Sequence, residues 1–137
     1  MNLDAETLVA LHEARTQEKR QALHYRSLAA RAEEAGNADE AERLNGLVAD
    51  EQHHLSRLSA RLLELNERLV DLSAEVATIP AAGAWEDASR DREQAEIDRY
   101  ERLLARPLDD HTAAMIRDFL EAERRHREVL GGKWMRA

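Results

Sequence analysis

Apolar residues recur along this 137-residue chain at intervals of three and four, the period of a helix face packed on a core, and each of the four stripes they draw is broken by a glutamate. On the first stripe Leu11, Ala14, Ala22, Tyr25 and Leu28 or Ala29 leave position 18 facing inward, and position 18 is Glu18. The second runs through Leu44, Leu47 or Val48, then Glu51, His54 or Leu55, Leu58 and Leu62. The third carries Ser89, Glu93, Glu96 or Ile97, Tyr100 and Leu103 or Leu104; the fourth carries Ile116, Phe119 or Leu120, Glu123, His126 and Leu130. A core built from these stripes receives at least one carboxylate from every helix.

The residues between the stripes set the element boundaries. Only 5 Gly and 2 Pro occur and β-branched residues are sparse, while Ala, Leu, Glu and Arg abound, the composition of long helices. The pattern predicts an all-α fold: a single four-helix bundle over residues 1–137, with helices at about 4–35, 38–76, 85–105 and 109–130. Gly36-Asn37 breaks the first, Ile79-Pro80-Ala81-Ala82-Gly83 stops the second, Pro107 follows the third, and Gly131-Gly132 ends the fourth. Beyond it lies the tail GGKWMRA, whose Trp134 could pack on a partner chain or on the bundle.

Charge and composition remove several classes of function. With no cysteine there are no disulfides, thiolate metal sites, iron–sulfur clusters or thiol nucleophiles, so any metal must bind through Glu, Asp or His. A formal net charge of −8 argues against a nucleic-acid surface and favours the attraction of cations. No stretch is apolar enough to span a bilayer, and MNLDAETLVALHEARTQEKR does not read as a secretory signal, so a cytoplasmic location without membrane contact is expected.

The polar residues repeat in order. EKRQALHY (18–25) places Tyr25 seven residues after Glu18 and is followed by EQHH (51–54); EQAEIDRY (93–100) places Tyr100 seven residues after Glu93 and is followed by ERRH (123–126). The chain therefore looks like a doubled hairpin, with Glu-to-Glu intervals of 33 residues in one half and 30 in the other. One Glu-x-x-His is unremarkable among 6 His and many Glu; two copies, two Glu-to-Tyr pairs and a common inward phase together point to a site. Unpaired carboxylates in a core cost several kcal/mol each and repel one another. Arg15 and Arg20 fall outside the inward phase, so two divalent cations are the natural counter-charge, and carboxylate with imidazole suits iron or manganese better than calcium. The hydroxyls of Tyr25 and Tyr100 are candidate donors to the ligand glutamates.

A glutamate from each of two helices with Glu-x-x-His from each of two others resembles the di-iron or di-manganese carboxylate pattern of ferritin-like bundles. EKRQALHY, DEQHH, the pair Glu93/Glu96 and ERRH, in this order over residues 10–130, most resemble the rubrerythrin branch. The resemblance implies Glu18 and Glu93 as single-helix ligands, Glu51 and Glu123 as bridging carboxylates, His54 and His126 as terminal imidazoles, and Glu96 as an additional carboxylate to which an iron can shift. It implies two irons, with manganese possible, reacting with oxygen or peroxide in peroxide scavenging or iron oxidation. The departures are also informative. No cysteine-bound rubredoxin module is present, so electrons for a peroxidase would come from an external donor. The chain is shorter than cage-forming ferritin subunits and no storage shell is expected.

Topology is constrained by the same residues. If the second helix ran to Val76 and turned tightly into the third, Glu51 would stand roughly 38 Å from the turn and Glu93 only about 14 Å, so the two could not share metals. Either residues 64–84 form a crossover that climbs back along the bundle, in a homodimer, or segments exchange between chains. Leu69, Leu72 and Val76 would then form a flanking helix or a dimer contact. Two rival functions fit the composition: a metal-free helical scaffold, and a di-metal oxidase or oxygenase of a small molecule. His12, His24, His53 and His111 read as surface histidines or outer neighbours of a site, not as ligands.

Overall fold

In the computed structural model, which describes residues 2–130, the chain forms four helices: α1 (Ala5–Glu34), α2 (Ala38–Glu64), α3 (Trp85–Leu104) and α4 (Asp110–Leu130). No strand occurs among the described residues, and none of their helices is long and apolar enough to cross a membrane. The expected stop at Gly131-Gly132 and Trp134 lie outside the described residues. Side-chain caps begin three of the helices. Asp4 accepts from Thr7 N at 2.8 Å, Asn37 from Glu40 N at 3.2 Å and Asp109 from Thr112 N at 3.0 Å, each satisfying a backbone donor that the first turn leaves free. At the other end of α1, Gly36 adopts φ +77°, and the bonds Gly36 N→Glu33 O (3.0 Å) and Asn37 N→Ala32 O (2.9 Å) close it.

The second helix departs from expectation. It stops at Glu64 instead of reaching Val76. The cause is Asn66, the only non-glycine at positive φ (65°) among the described residues. Asn66 N→Leu63 O (3.0 Å) and Glu67 N→Leu62 O (2.9 Å) repeat the closing bonds of α1 with Asn in place of Gly. Leu69, Leu72 and Val76 accordingly lie on an irregular segment, and the flanking helix is not formed.

That segment, residues 65–84, is the crossover, and it lies along α1. His12 Nε2 meets Glu67 Oε1 at 3.0 Å, Arg15 donates to Val70 O at 2.8 Å, Arg20 to Glu75 Oε1 at 3.0 Å and Arg31 to Pro80 O at 2.8 Å. Between His12 and Arg31 the helix rises roughly 28 Å, and the crossover climbs that span beside it. The arginines outside the inward phase therefore strap the connection down, and Arg15 also reaches Ser59 of α2 at 2.8 Å. As a result α1 and α2 run antiparallel, α3 and α4 run antiparallel, and α2 and α3 run in the same direction, all within one chain. Segment exchange is not needed to bring Glu51 and Glu93 together.

The apolar core is split in two. One lobe gathers Leu11, Ala14, Leu58, Leu62, Ile97, Tyr100, Leu103, Ile116 and Phe119; the other gathers Tyr25, Leu28, Ala32, Leu44, Leu47, Val48 and Leu130. A polar layer separates them. Substituting Asn66 with Ala should cost about 1 kcal/mol by forcing a Cβ-bearing residue without a local polar side chain into the left-handed region, whereas Asn66→Gly should leave stability nearly unchanged. Urea unfolding with a common m-value checks both.

Candidate metal centre

The layer between the lobes consists of Glu18 from α1, Glu51 and His54 from α2, Glu93 from α3, and Glu123 and His126 from α4. The four glutamates are 0% exposed and the two histidines 5%. Their ligand atoms form two groups, Glu18–Glu51–His54–Glu123 and Glu51–Glu93–Glu123–His126, each with all its atoms within 4.8 Å of one another. Glu51 and Glu123 belong to both groups. The Glu-x-x-His spacing produces this because one helical turn stacks the carboxylate and the imidazole on one face, and α2 and α4 present that face to each other.

The donors are poised but unsatisfied. Glu18 Oε2, both oxygens of Glu51 and of Glu123, Glu93 Oε2, and Nδ1 of His54 and of His126 are buried without a hydrogen-bond partner. His126 Nδ1 lies 3.0 Å from Glu51 Oε1 and 3.1 Å from Glu123 Oε1, and His54 Nδ1 lies 3.5 Å from Glu18 Oε2. An orphaned buried carboxylate oxygen is costly, and so many converging on one volume would be untenable without positive charge between them. Electrostatics show the same demand. Burial, reinforced by the neighbouring carboxylates, holds Glu51 and Glu123 well above the ordinary carboxylate range. Burial also acts to raise Glu18, but Glu51, His54 and Tyr100 beside it bring it below the ordinary value. Burial acts to lower His126, and Asp50, Glu123 and Glu93 override it, pushing the imidazole up to about 12. Without metal, burial and neighbouring charge favour protons on Glu51, Glu123 and His126. Oxygen and imidazole donors in two overlapping sets of four suit a pair of iron or manganese ions.

Partners outside the cage orient it. Tyr25 of α1 donates its hydroxyl to Glu93 of α3, and Tyr100 of α3 donates its hydroxyl to Glu18 of α1. Burial and the adjacent glutamate charges raise both phenols well above their usual value, so they remain donors. Three further partners escaped the sequence reading. Gln21 donates to Glu93 at 3.3 Å, Arg92 donates to Gln21 Oε1 at 2.6 Å, and Asp50 Oδ2 lies 2.8 Å from His126 Nε2. Gln21 and Arg92 carry no motif. Asp50 precedes Glu51 directly, which is a signal only once α4 is known to lie beside α2.

Glu96 falls in neither four-residue group. Its side chain is 3% exposed and is held by Arg99 at 2.6 Å, which draws it toward the α3 surface and leaves Oε2 without a partner. Burial and the charge of Glu18 raise its carboxyl to about 8 despite Arg99. Of the remaining histidines, His53 and His111 are exposed and His12 pairs with Glu67. His24 is no surface residue: at 1% exposure it is buried and meets Ser89 Oγ at 2.8 Å.

The raised carboxyl of Glu96 gives a pH dependence with a definite sign. In metal-free protein the folded state holds a proton on Glu96 that the unfolded chain, at about 4.3, has already released, so the stability it contributes is lost as pH rises toward 8. Chelator-stripped Glu96→Gln should match wild type near pH 4 and become the more stable of the two by a few kcal/mol at most above pH 8. Parallel urea titrations across that window measure the divergence.

No protein-family model matches the chain, and no curated protein matches it in sequence. Solved structures do. A bacterioferritin of Desulfovibrio desulfuricans, described with its diiron site in different catalytic states, superposes with a TM-score of 0.82 at 21% identity, over 93% of this chain and 77% of that one. The bacterioferritin of Rhodobacter capsulatus, described with a metal-free dinuclear site and heme iron, gives 0.81 at 17% identity, over 96% of this chain and 84% of that one. The chain has the ferritin-like four-helix fold of these proteins.

Proposed function

We propose that the protein binds two iron ions, with manganese as the possible substitute, in the buried carboxylate layer and uses them to react with oxygen or peroxide. The observation that carries this reading is the convergence of unpartnered buried oxygens and Nδ1 atoms from all four helices into two groups that share Glu51 and Glu123. The shared glutamates would bridge the ions, Glu18 and His54 would complete one position, and Glu93 and His126 the other. A pair of ferrous ions supplies two electrons, the number that with two protons converts one peroxide to two waters.

The chain's own residues hold, orient and exclude. Tyr25 and Tyr100 restrain the rotation of Glu93 and Glu18 by donating to one oxygen of each, while the other oxygen stays without a hydrogen-bond partner. The apolar lobes shield the layer from bulk water, with Phe119 stacked on His54 at a ring separation of 4.3 Å. Four fully buried glutamates lie out of contact with a large organic substrate at the surface, which favours iron oxidation or peroxide reduction over oxygenation of a larger molecule. Burial of Glu96 beside Glu18 supports the rubrerythrin-like form of the reading, in which peroxide is turned over with electrons from an external donor protein. Exposed Val70, Val76 and Ile79 along the crossover support a homodimer, and a cytoplasmic setting would provide both reduced iron and the donor.

The test is direct. Protein expressed in iron-rich medium should carry close to two irons per chain, and combined Glu51→Ala and Glu123→Ala substitution should leave less than one. Chelation should lower the melting temperature, since binding at a hundredfold excess over Kd contributes about 2.7 kcal/mol per site. Wild-type protein with less than one metal per chain, insensitive to those substitutions and to chelator, would instead identify a metal-free scaffold.

A further inference from the structure

Among the positions at which the two halves of the centre differ is the residue preceding each shared glutamate. In α2 that residue is Asp50, whose Oδ2 sits 2.8 Å from His126 Nε2. Its counterpart in α4 is Ala122, which has no side-chain acceptor to offer His54. The His54 ring packs against Phe119, at 4.3 Å between centroids and 33° between planes, and its Nδ1 lies 3.5 Å from Glu18 Oε2, with no carboxylate of the described residues paired to its Nε2. Asp50 itself is 58% exposed, so it belongs neither to the apolar lobes nor to the buried cage.

We infer that Asp50 is a positioning residue for His126 and that it makes the two metal positions unequal, the His126 position being the tighter and the first to fill. An imidazole that donates Nε2–H to a carboxylate is fixed in one tautomer and one ring orientation, with the Nδ1 lone pair directed away from the acceptor. For His126 that direction is toward Glu51 and Glu123, at 3.0 and 3.1 Å. His54 has no such carboxylate from α4, where Ala122 stands, so its position lacks this fixing of the tautomer. Loss of an outer carboxylate of this kind typically reduces metal affinity by about 10–100-fold.

The inference rests on the dinuclear reading and can fail independently of it. The probe is cobalt(II), titrated anaerobically into metal-free protein by calorimetry and followed by its visible absorption. Wild type should take up two ions in two resolved steps. Glu18→Ala removes a ligand of the His54 position alone, and Glu93→Ala one of the His126 position alone. In the Glu18→Ala background, adding Asp50→Ala should weaken the remaining step by about 10–100-fold; in the Glu93→Ala background it should change nothing. Asp50→Asn keeps an acceptor oxygen for Nε2–H without the charge and should restore most of the lost affinity. Equal weakening in both backgrounds, or Asn behaving like Ala, would mean that Asp50 acts only as a distant negative charge and would overturn the inference while leaving the dinuclear reading intact. Fewer than two cobalt ions bound by wild type would remove both.

Discussion

The interaction on which this structure depends is the mutual repulsion of four buried carboxylates. Two apolar lobes would by themselves make an ordinary bundle, and each excludes water from the layer between them. Glu18, Glu51, Glu93 and Glu123 are fully buried in that layer, where their charges are poorly screened and their free oxygens have no donors. Only two kinds of species can make such a layer tolerable: protons, as the raised carboxyls of Glu51 and Glu123 and the raised imidazole of His126 show, or metal cations. Burial and mutual repulsion push Glu51 and Glu123 toward the protonated form, and a cation entering the layer would have to displace those protons.

The arrangement is nearly two-fold symmetric, and its departures from symmetry are chemically directed. Tyr25 and Tyr100 exchange hydrogen bonds across the bundle, each serving the glutamate of the other's helix. Glu51 and Glu123 occupy equivalent places, as do His54 and His126. The residue three positions after the single-helix glutamate differs: Gln21 in one half donates to Glu93, while Glu96 in the other is ionically held by Arg99. One half therefore adds a neutral donor to the cage and the other adds a carboxylate beside it. Together with the Asp50/Ala122 difference, this means that the doubled hairpin differs at the periphery of the layer while its six buried glutamates and histidines stay matched.

How much of this was legible in the sequence follows from which interactions are local. Helical phase places Glu18, Glu51, His54, Glu93, Glu123 and His126 inward from spacing alone, and the structure brings these six together. The helix ends set by Gly36 and Pro107 were equally readable. Asn66 was not, because an asparagine ends a helix only when it adopts the left-handed conformation, and Leu69, Leu72 and Val76 continued the apolar spacing past it. Asp50, Gln21 and Arg92 were invisible for another reason: each acts across helices, so its role depends on a register that no single stripe reports. Arg15 and Arg20 fell outside the inward phase and, with Arg31, are straps, which spacing could not report because the segment they bind is itself non-periodic.

The stop at Asn66 is also what makes the centre possible. Had α2 continued to Val76, it would have extended roughly 18 Å beyond Glu64, past the lobe containing Leu58 and Leu62, with Leu69 and Leu72 reaching no partner helix. The chain would then have begun α3 at the far end, and α2 and α3 would have run antiparallel, with Glu93 displaced from Glu51. Ending the helix at the lobe's edge frees residues 65–84 to return along α1, where an extended backbone covers the distance with fewer residues than a helix would need. Such a segment forms few bonds with itself, so its carbonyls at Val70 and Pro80 and its carboxylates at Glu67 and Glu75 must be satisfied by α1. The row of cationic and imidazole side chains on the outer face of α1 is therefore the structural counterpart of the carboxylates on its inner face: one face fixes the path of the chain, and that path decides which glutamates meet.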